Sequence, residues 1–118
     1  MPDKFITIRI PYGTLSAIGP GKADLLEAIQ RGGSISAAAR EMGMSYKRAW
    51  DLVETMNKAF TEPLVSTATG GSQGGGAQMT AFGAEVLQRY RDIERKANAT
   101  VADDLQQLIA KLAPPTIS

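Results

Sequence analysis

Residues 34–60 read SISAAAREMGMSYKRAWDLVETMNKAF, and a single glycine in their middle constrains what the chain can become. Ser34 or Ser36 can cap a first helix, because a short hydroxyl side chain accepts from the open N–H groups of the first turn. Ala37, Ala38 and Ala39 are small enough to let another helix approach closely. Gly43 then supplies a position that tolerates positive φ, as a tight turn needs. Ser45 can cap a second helix from Tyr46 to about Phe60, with an inner stripe of Ala49, Leu52, Val53, Met56 and Phe60. Two helices joined by one tight turn, the second opening with exposed polar and basic residues, form a helix-turn-helix.

The flanking segments add strands and helices. Phe5 to Ile10 alternates with period two and is β-branched, so it reads as an N-terminal strand ended by Pro11 and Gly13. Ile18 to Lys22 is a turn cluster. A helix from Lys22 to Arg31, with Leu25, Leu26 and Ile29 on one face, stops at Gly32-Gly33. Pro63 breaks the helix that follows the turn. Leu64–Thr69 and Gly76–Met79 read as two strands around Gly70-Gly71-Ser72-Gln73-Gly74-Gly75, too Gly-rich for a regular element. The pair suggests the wing of a winged helix; the alternatives are a plain loop or a phosphate cradle. The cradle is disfavoured because no Gly-Lys follows.

Thr80 can cap a last helix from Ala81 to about Leu112, either continuous or broken near Asn98 to Asp103. Phe82, Val86, Tyr90, Ile93, Ala97, Val101, Leu105, Leu108 and Leu112 step by three or four, close to a heptad seam. A continuous helix of roughly 30 residues would be about 45–50 Å long at 1.5 Å per residue. A domain of about 80 residues cannot cover it, so pairing with a second copy is the simplest way to bury the stripe. Pro114-Pro115 ends it.

The expected fold is therefore mainly α: a winged helix-turn-helix with a β-hairpin wing, an N-terminal strand and a long C-terminal dimerisation helix. The expected division is 1–80 for the DNA-binding domain, 81–113 for the dimerisation helix and 114–118 for a tail.

Composition excludes much chemistry. The chain has neither Cys nor His, which removes disulfides, thiolate metal sites and Ser/His/Asp catalysis. No enzyme, cofactor or metal is expected. Asp103-Asp104 has no partner ligands nearby in sequence and reads as a solvated face or a cap. Net charge is +1, so any nucleic-acid contact must come from a local patch. No apolar run reaches the roughly 20 residues of a membrane span, and no leader pattern opens the chain, so a cytoplasmic protein is the default.

Bases are read by side chains at the start of a recognition helix, because that end points into the groove. Ser45, Tyr46, Lys47 and Arg48 hold that end, with Asp51 one turn along. Lys47 or Arg48 can donate to guanine O6 and N7 while the other sits on phosphate. Asp51 can accept from cytosine N4 or orient Lys47, its neighbour one turn back. Gln30, Arg31, Ser34 and Ser36 lie near where the preceding helices meet the DNA backbone. In the wing, Gly71, Ser72, Gln73 and Gly74 carry no cation, so their grip would come from backbone N–H groups and short polar side chains. Trp50 is expected to pack against the wing strands or the N-terminal strand. The competing reading is a helical hairpin with a solvated polar face, or a winged-helix module that docks proteins and does not touch DNA.

Ser34-Ile35-Ser36-x-Ala38-Ala39-x-x-x-Gly43-x-Ser45-Tyr46-Lys47-x-Ala49-Trp50-Asp51, continued by Met56-Asn57, Leu64-Val65, Thr69-Gly70-Gly71, Gly74-Gly75-Gly76-Ala77, Thr80 and Gly83, closely resembles the N-terminal domain of ModE-type molybdate-responsive transcription regulators. The likeness covers roughly residues 20–95. LysR-type domains share the fold but fit these residues less well. The resemblance implies a winged helix dimerised through the last helix and an N-terminal strand. It also implies palindromic operators near molybdate-uptake or molybdoenzyme genes. Ser34, Ser36, Ser45, Tyr46, Lys47 and Arg48, with the wing at Gly70 to Gly76, match the family's DNA-contact positions. Many members continue into small β-barrel domains that bind molybdate. This sequence stops at Ser118, so the expectation is a DNA-binding domain alone, partnered by double-stranded DNA, a second copy and, for sensing, a separate molybdate-binding protein.

Overall fold

The computed structural model describes residues 6–68 and 76–115. Its elements run β1 (Ile10–Tyr12), β2 (Leu15–Ile18), α1 (Pro20–Gly32), α2 (Ile35–Met42), α3 (Tyr46–Ala59), β3 (Val65–Ala68), β4 (Gly76–Met79) and α4 (Ala81–Ile109). This is the expected winged helix-turn-helix, with one change at the N-terminus.

That change is a hairpin where a single strand is expected. Residues 6–9 join no ladder, and Phe5 lies outside the described residues. β1 and β2 pair antiparallel, with an irregularity between Ile10 and Pro11. Proline is tolerated at such a bulge because the missing N–H is not needed there. Gly13, at φ +61°, makes the reversal. Residues that read as strand-breakers instead build the hairpin. The preceding segment is held by α4: Ile6 N donates to Asn98 Oδ1 at 3.1 Å, and the Tyr90 hydroxyl donates to Ile8 O at 2.6 Å.

The first two helices end where left-handed glycines allow it. Gly33 (φ 74°) closes α1 and Gly43 (φ 66°) closes α2. Ser34, rather than Ser36, caps α2 by accepting from Ala37 N; Ser45 caps α3 by accepting from Arg48 N. Leu25, Leu26, Ile29, Ala38, Ala39, Ala49, Val53 and Met56 are buried together, with Leu52, Phe60 and Met44 packed at the margin.

β3 and β4 pair in the register Val65↔Met79 through Ala68↔Gly76. Asn57 of α3 ties this hairpin to the helices. Its Oδ1 accepts from Leu64 N (2.8 Å) and Val65 N (3.2 Å), and its Nδ2 donates to Val65 O (3.0 Å). On the other side, Ala77 N donates to Gly33 O at 3.0 Å. The tip of the wing lies outside the described residues.

α4 is continuous over 29 residues, about 44 Å at 1.5 Å per residue. Thr80 caps it, and Gly83 passes so close to Leu64 that a Cβ there would stand 2.2 Å from Leu64 O. Its inward face is Gly83, Leu87, Tyr90, Glu94 and Asn98. The expected seam shares only Tyr90 with that face. Tyr90 is 2% exposed inside its own core, and Phe82 and Val86 pack against the same cluster. Ile93, Leu108 and Leu112 remain open, at 46%, 60% and 68% exposure, with Val101 and Leu105 half-buried between them. Arg91 bolts α4 to α1: its guanidinium donates to Asp24 (2.7 Å) and Glu27 (2.9 Å), and to Glu94 (2.8 Å) on its own helix. Burial alone would lower its pKa, but hydrogen bonds to Glu27, Glu94 and Asp24 carry it upward.

Candidate nucleic-acid interface

The first two turns of α3 leave the body of the protein. Ser45, Tyr46, Lys47, Arg48, Trp50 and Asp51 are all exposed, while Ala49 between them is fully buried and anchors the helix. The helix offers this end because Gly43 and the Ser45 cap start it clear of α2, and because Val53 and Met56 hold its later turns in the core.

Three faces of α3 have different surroundings. Lys47 and Asp51 point outward; the Lys47 side chain is 84% exposed, and its Nζ lies 3.2 Å from Asp51 Oδ2. An exposed pair at this spacing contributes only a few tenths of a kcal/mol, so either partner is free to exchange it for a ligand. Arg48 points to the flank of Leu52 and Thr55. A groove of about 460 Å³ lined by Ser45, Lys47, Arg48, Asp51, Leu52 and Thr55 runs along this side. Tyr46, Trp50 and Asn57 share the opposite flank, where Asn57 bonds to Leu64 and Val65 at the start of the wing hairpin.

Among the described residues, the two capping serines keep a donor free. Ser34 Oγ and Ser45 Oγ each accept a backbone N–H, at 3.0 and 3.1 Å, so their hydroxyl protons remain available to an acceptor such as phosphate. Ser36 is exposed on the first turn of α2. These three and the opening residues of α3 therefore lie around the turn. Gly71, Ser72, Gln73 and Gly74 lie outside the described residues.

Two cations escaped sequence reasoning. Arg9, before β1, and Lys22, in the first turn of α1, line a hollow of about 230 Å³ with Met42, Met44, Arg48 and Leu52. Lys22 Nζ donates to Ser16 O at 2.5 Å, and burial lowers its pKa. They come from separate elements, so no local motif joins them to Arg48. Trp50 is the other departure: it lies on the wing side, yet it is 41% exposed. Asp103 and Asp104 are simply exposed on α4. Among the described residues, no group of three or more His, Cys, Asp or Glu could hold a metal ion, and no helix is long and apolar enough to cross a membrane.

The comparisons agree with this fold. The chain is 47% identical over 79 residues to the molybdenum transport protein ModE of Azotobacter vinelandii, covering 67% of this chain and 29% of that protein. It is 44% identical over 97 residues to the transcriptional regulator ModE of Yersinia pestis, covering 80% of this chain and 37% of that one. Among solved structures, the full-length LTTR LysG from Corynebacterium glutamicum with bound effector Arg superposes with a TM-score of 0.54 at 21% identity, over 80% of this chain and 30% of that one. That likeness concerns the fold. The chain thus spans 29% and 37% of the two curated relatives, and the resemblance of its helix-turn-helix to the ModE N-terminal domain holds. Residues 22–84 match the family described as bacterial regulatory helix-turn-helix protein, lysR family, so the chain belongs to that family and carries its regulatory helix-turn-helix.

Proposed function

We propose that this chain binds double-stranded DNA as a homodimer and regulates transcription from palindromic operators, in the setting of molybdate uptake or molybdoenzyme genes. The observation that carries the reading is the opening of α3: a capped helix start where Tyr46, Lys47, Arg48 and Asp51 all face solvent while Ala49 is buried. Side chains so placed enter a major groove with little rearrangement. Lys47 and Arg48 supply guanine or phosphate contacts, and Ser34, Ser36 and Ser45 supply hydroxyl donors to phosphate. Gly71, Ser72, Gln73 and Gly74 add wing contacts. The names of the relatives support the molybdenum setting.

The stripe of Ile93, Val101, Leu105 and Leu108, continued by Leu112 just past the end of the helix, supports pairing through α4. Two recognition helices held about one DNA turn apart would read two half-sites. In this reading the chain acts in the cytoplasm, performs no catalysis and holds no cofactor, and a separate molybdate-binding protein supplies the signal.

Selection of binding sites from random duplexes, followed by titration of Lys47→Ala and Arg48→Ala, tests the proposal. Removing a bidentate guanine interaction should cost about 1–3 kcal/mol, and binding should weaken steeply with added salt. Unchanged affinity for both variants would defeat the assignment. Binding that ignores salt would favour a protein-docking module, the competitor that a net charge of +1 keeps in view.

A further inference from the structure

The structure assigns Trp50 a second part in the same interface: we infer that its indole reads thymine through the 5-methyl group. This rests on the proposed DNA reading. Trp50 follows Tyr46 by four residues and precedes Asn57 by seven, so the three share one flank of α3. Asn57 marks what that flank faces, because its amide is bonded to the start of β3. Trp50 therefore stands between the outward face bearing Lys47 and Asp51 and the base of the wing.

A tryptophan facing the base of the wing would ordinarily be roofed by it. Here the side chain is 41% exposed, Tyr46 one turn earlier is 54% exposed, and among the described residues the indole N–H makes no hydrogen bond. One turn apart, the two rings give this flank exposed apolar surface beside the charged recognition end. An occupant of that surface must lie deep in the groove entered by Lys47 and be apolar. In the major groove the thymine methyl is the apolar feature of the base edges, and side chains with apolar surface read it by contact. Lys47 and Arg48 can discriminate guanine. Trp50 gives the same helix a means to discriminate thymine.

The test uses the full chain and a duplex it selects from a random pool. Deoxyuridine replaces thymidine one position at a time, which removes only the methyl group. At one thymine per half-site the exchange should weaken wild-type binding about fourfold, the worth of one buried methyl-sized group. Trp50→Ala should bind more weakly and lose that sensitivity, whereas Lys47→Ala should keep it. A uracil penalty of equal size in wild type and Trp50→Ala, or no sensitive thymine, overturns the inference and leaves the DNA reading standing. A pool that yields no enriched duplex overturns both. Trp50 is the chain's sole tryptophan, so wild-type emission gives a second readout without mutation. Bound duplex should shield it from iodide; unchanged quenching overturns the contact.

Discussion

Asn57→Ala should cost this protein much more than a half-exposed helical asparagine ordinarily would. The amide oxygen accepts from Leu64 N and Val65 N, and the amide nitrogen donates to Val65 O. Leu64 and Val65 are 0% and 2% exposed, so water cannot readily replace the missing partner. An orphaned buried polar group costs about 1–3 kcal/mol. Counting the Leu64 N–H in full and the Val65 groups in part gives about 3 kcal/mol. Alanine returns roughly 0.7 kcal/mol of helix propensity. The net is about 2–3 kcal/mol, or ~10 °C in melting temperature for a domain of this size. Lys58→Ala, one residue along on the exposed side, should stay within about 0.5 kcal/mol. Thermal melts followed by circular dichroism measure the difference. Amide exchange localises it, because Leu64 and Val65 should lose protection before α1 does. An Asn57→Ala protein melting within 2 °C or so of wild type, with the Leu64 amide still protected, would refute the clamp and the reasoning.

Gly83→Ala should destabilise although alanine is the better helix former. Its Cβ would stand 2.2 Å from Leu64 O and 2.9 Å from Met79 Cγ, so α4 must shift and strain the 2.9 Å Thr80 N–H bond to that carbonyl. Overpacking and a weakened hydrogen bond outweigh the propensity gain by about 1–3 kcal/mol, measurable in urea. Tyr90 sets an alkaline limit. Burial, with the Glu94 charge nearby, pushes its hydroxyl up to about 12 from 10.0. The folded state keeps the proton that the unfolded chain loses first, so this contribution is intact below pH 10 and disappears between pH 10 and 12. Tyr90→Phe should flatten that part of a stability–pH curve; an unchanged slope would assign it elsewhere. If the proposed dimer forms through α4, Ile93→Lys with Leu108→Lys should turn it into monomers in sedimentation, since each side chain, already about half-buried, contributes about 1 kcal/mol or more on pairing and each is removed twice across a twofold axis. Sedimentation identical to wild type would remove the seam from α4.

Much of this molecule was legible from residue order because its punctuation is local. Gly33 and Gly43 adopt the positive φ that ends α1 and α2, and Ser34, Ser45 and Thr80 each accept the N–H their position requires. The residues opening α3 could be named without coordinates, because periodicity places Ala49, Val53 and Met56 inside and leaves their neighbours outside. Three features were hidden because neither hydrophobic periodicity nor the usual breaker rules encode them. The inward face of α4 ends in Glu94 and Asn98, which are buried through bonds to other groups and are invisible to a hydrophobic pattern. The hairpin of β1 and β2 needs a proline at a bulge, which reads as a terminator. The openness of Trp50 is set by tertiary placement, which no local rule encodes.

The Arg91 bolt makes α4 a lever. Asp24 and Glu27 grip it from α1, and Glu94 braces it from the same helix, so α4 cannot swing without dragging α1 along. Because α1 packs on α2 and α3, torque applied to the distal turns of α4 would arrive at Lys47 and Arg48 as a change of tilt. If two copies pair through α4 as proposed, adjusting how two such bars cross would widen or narrow the gap between the heads.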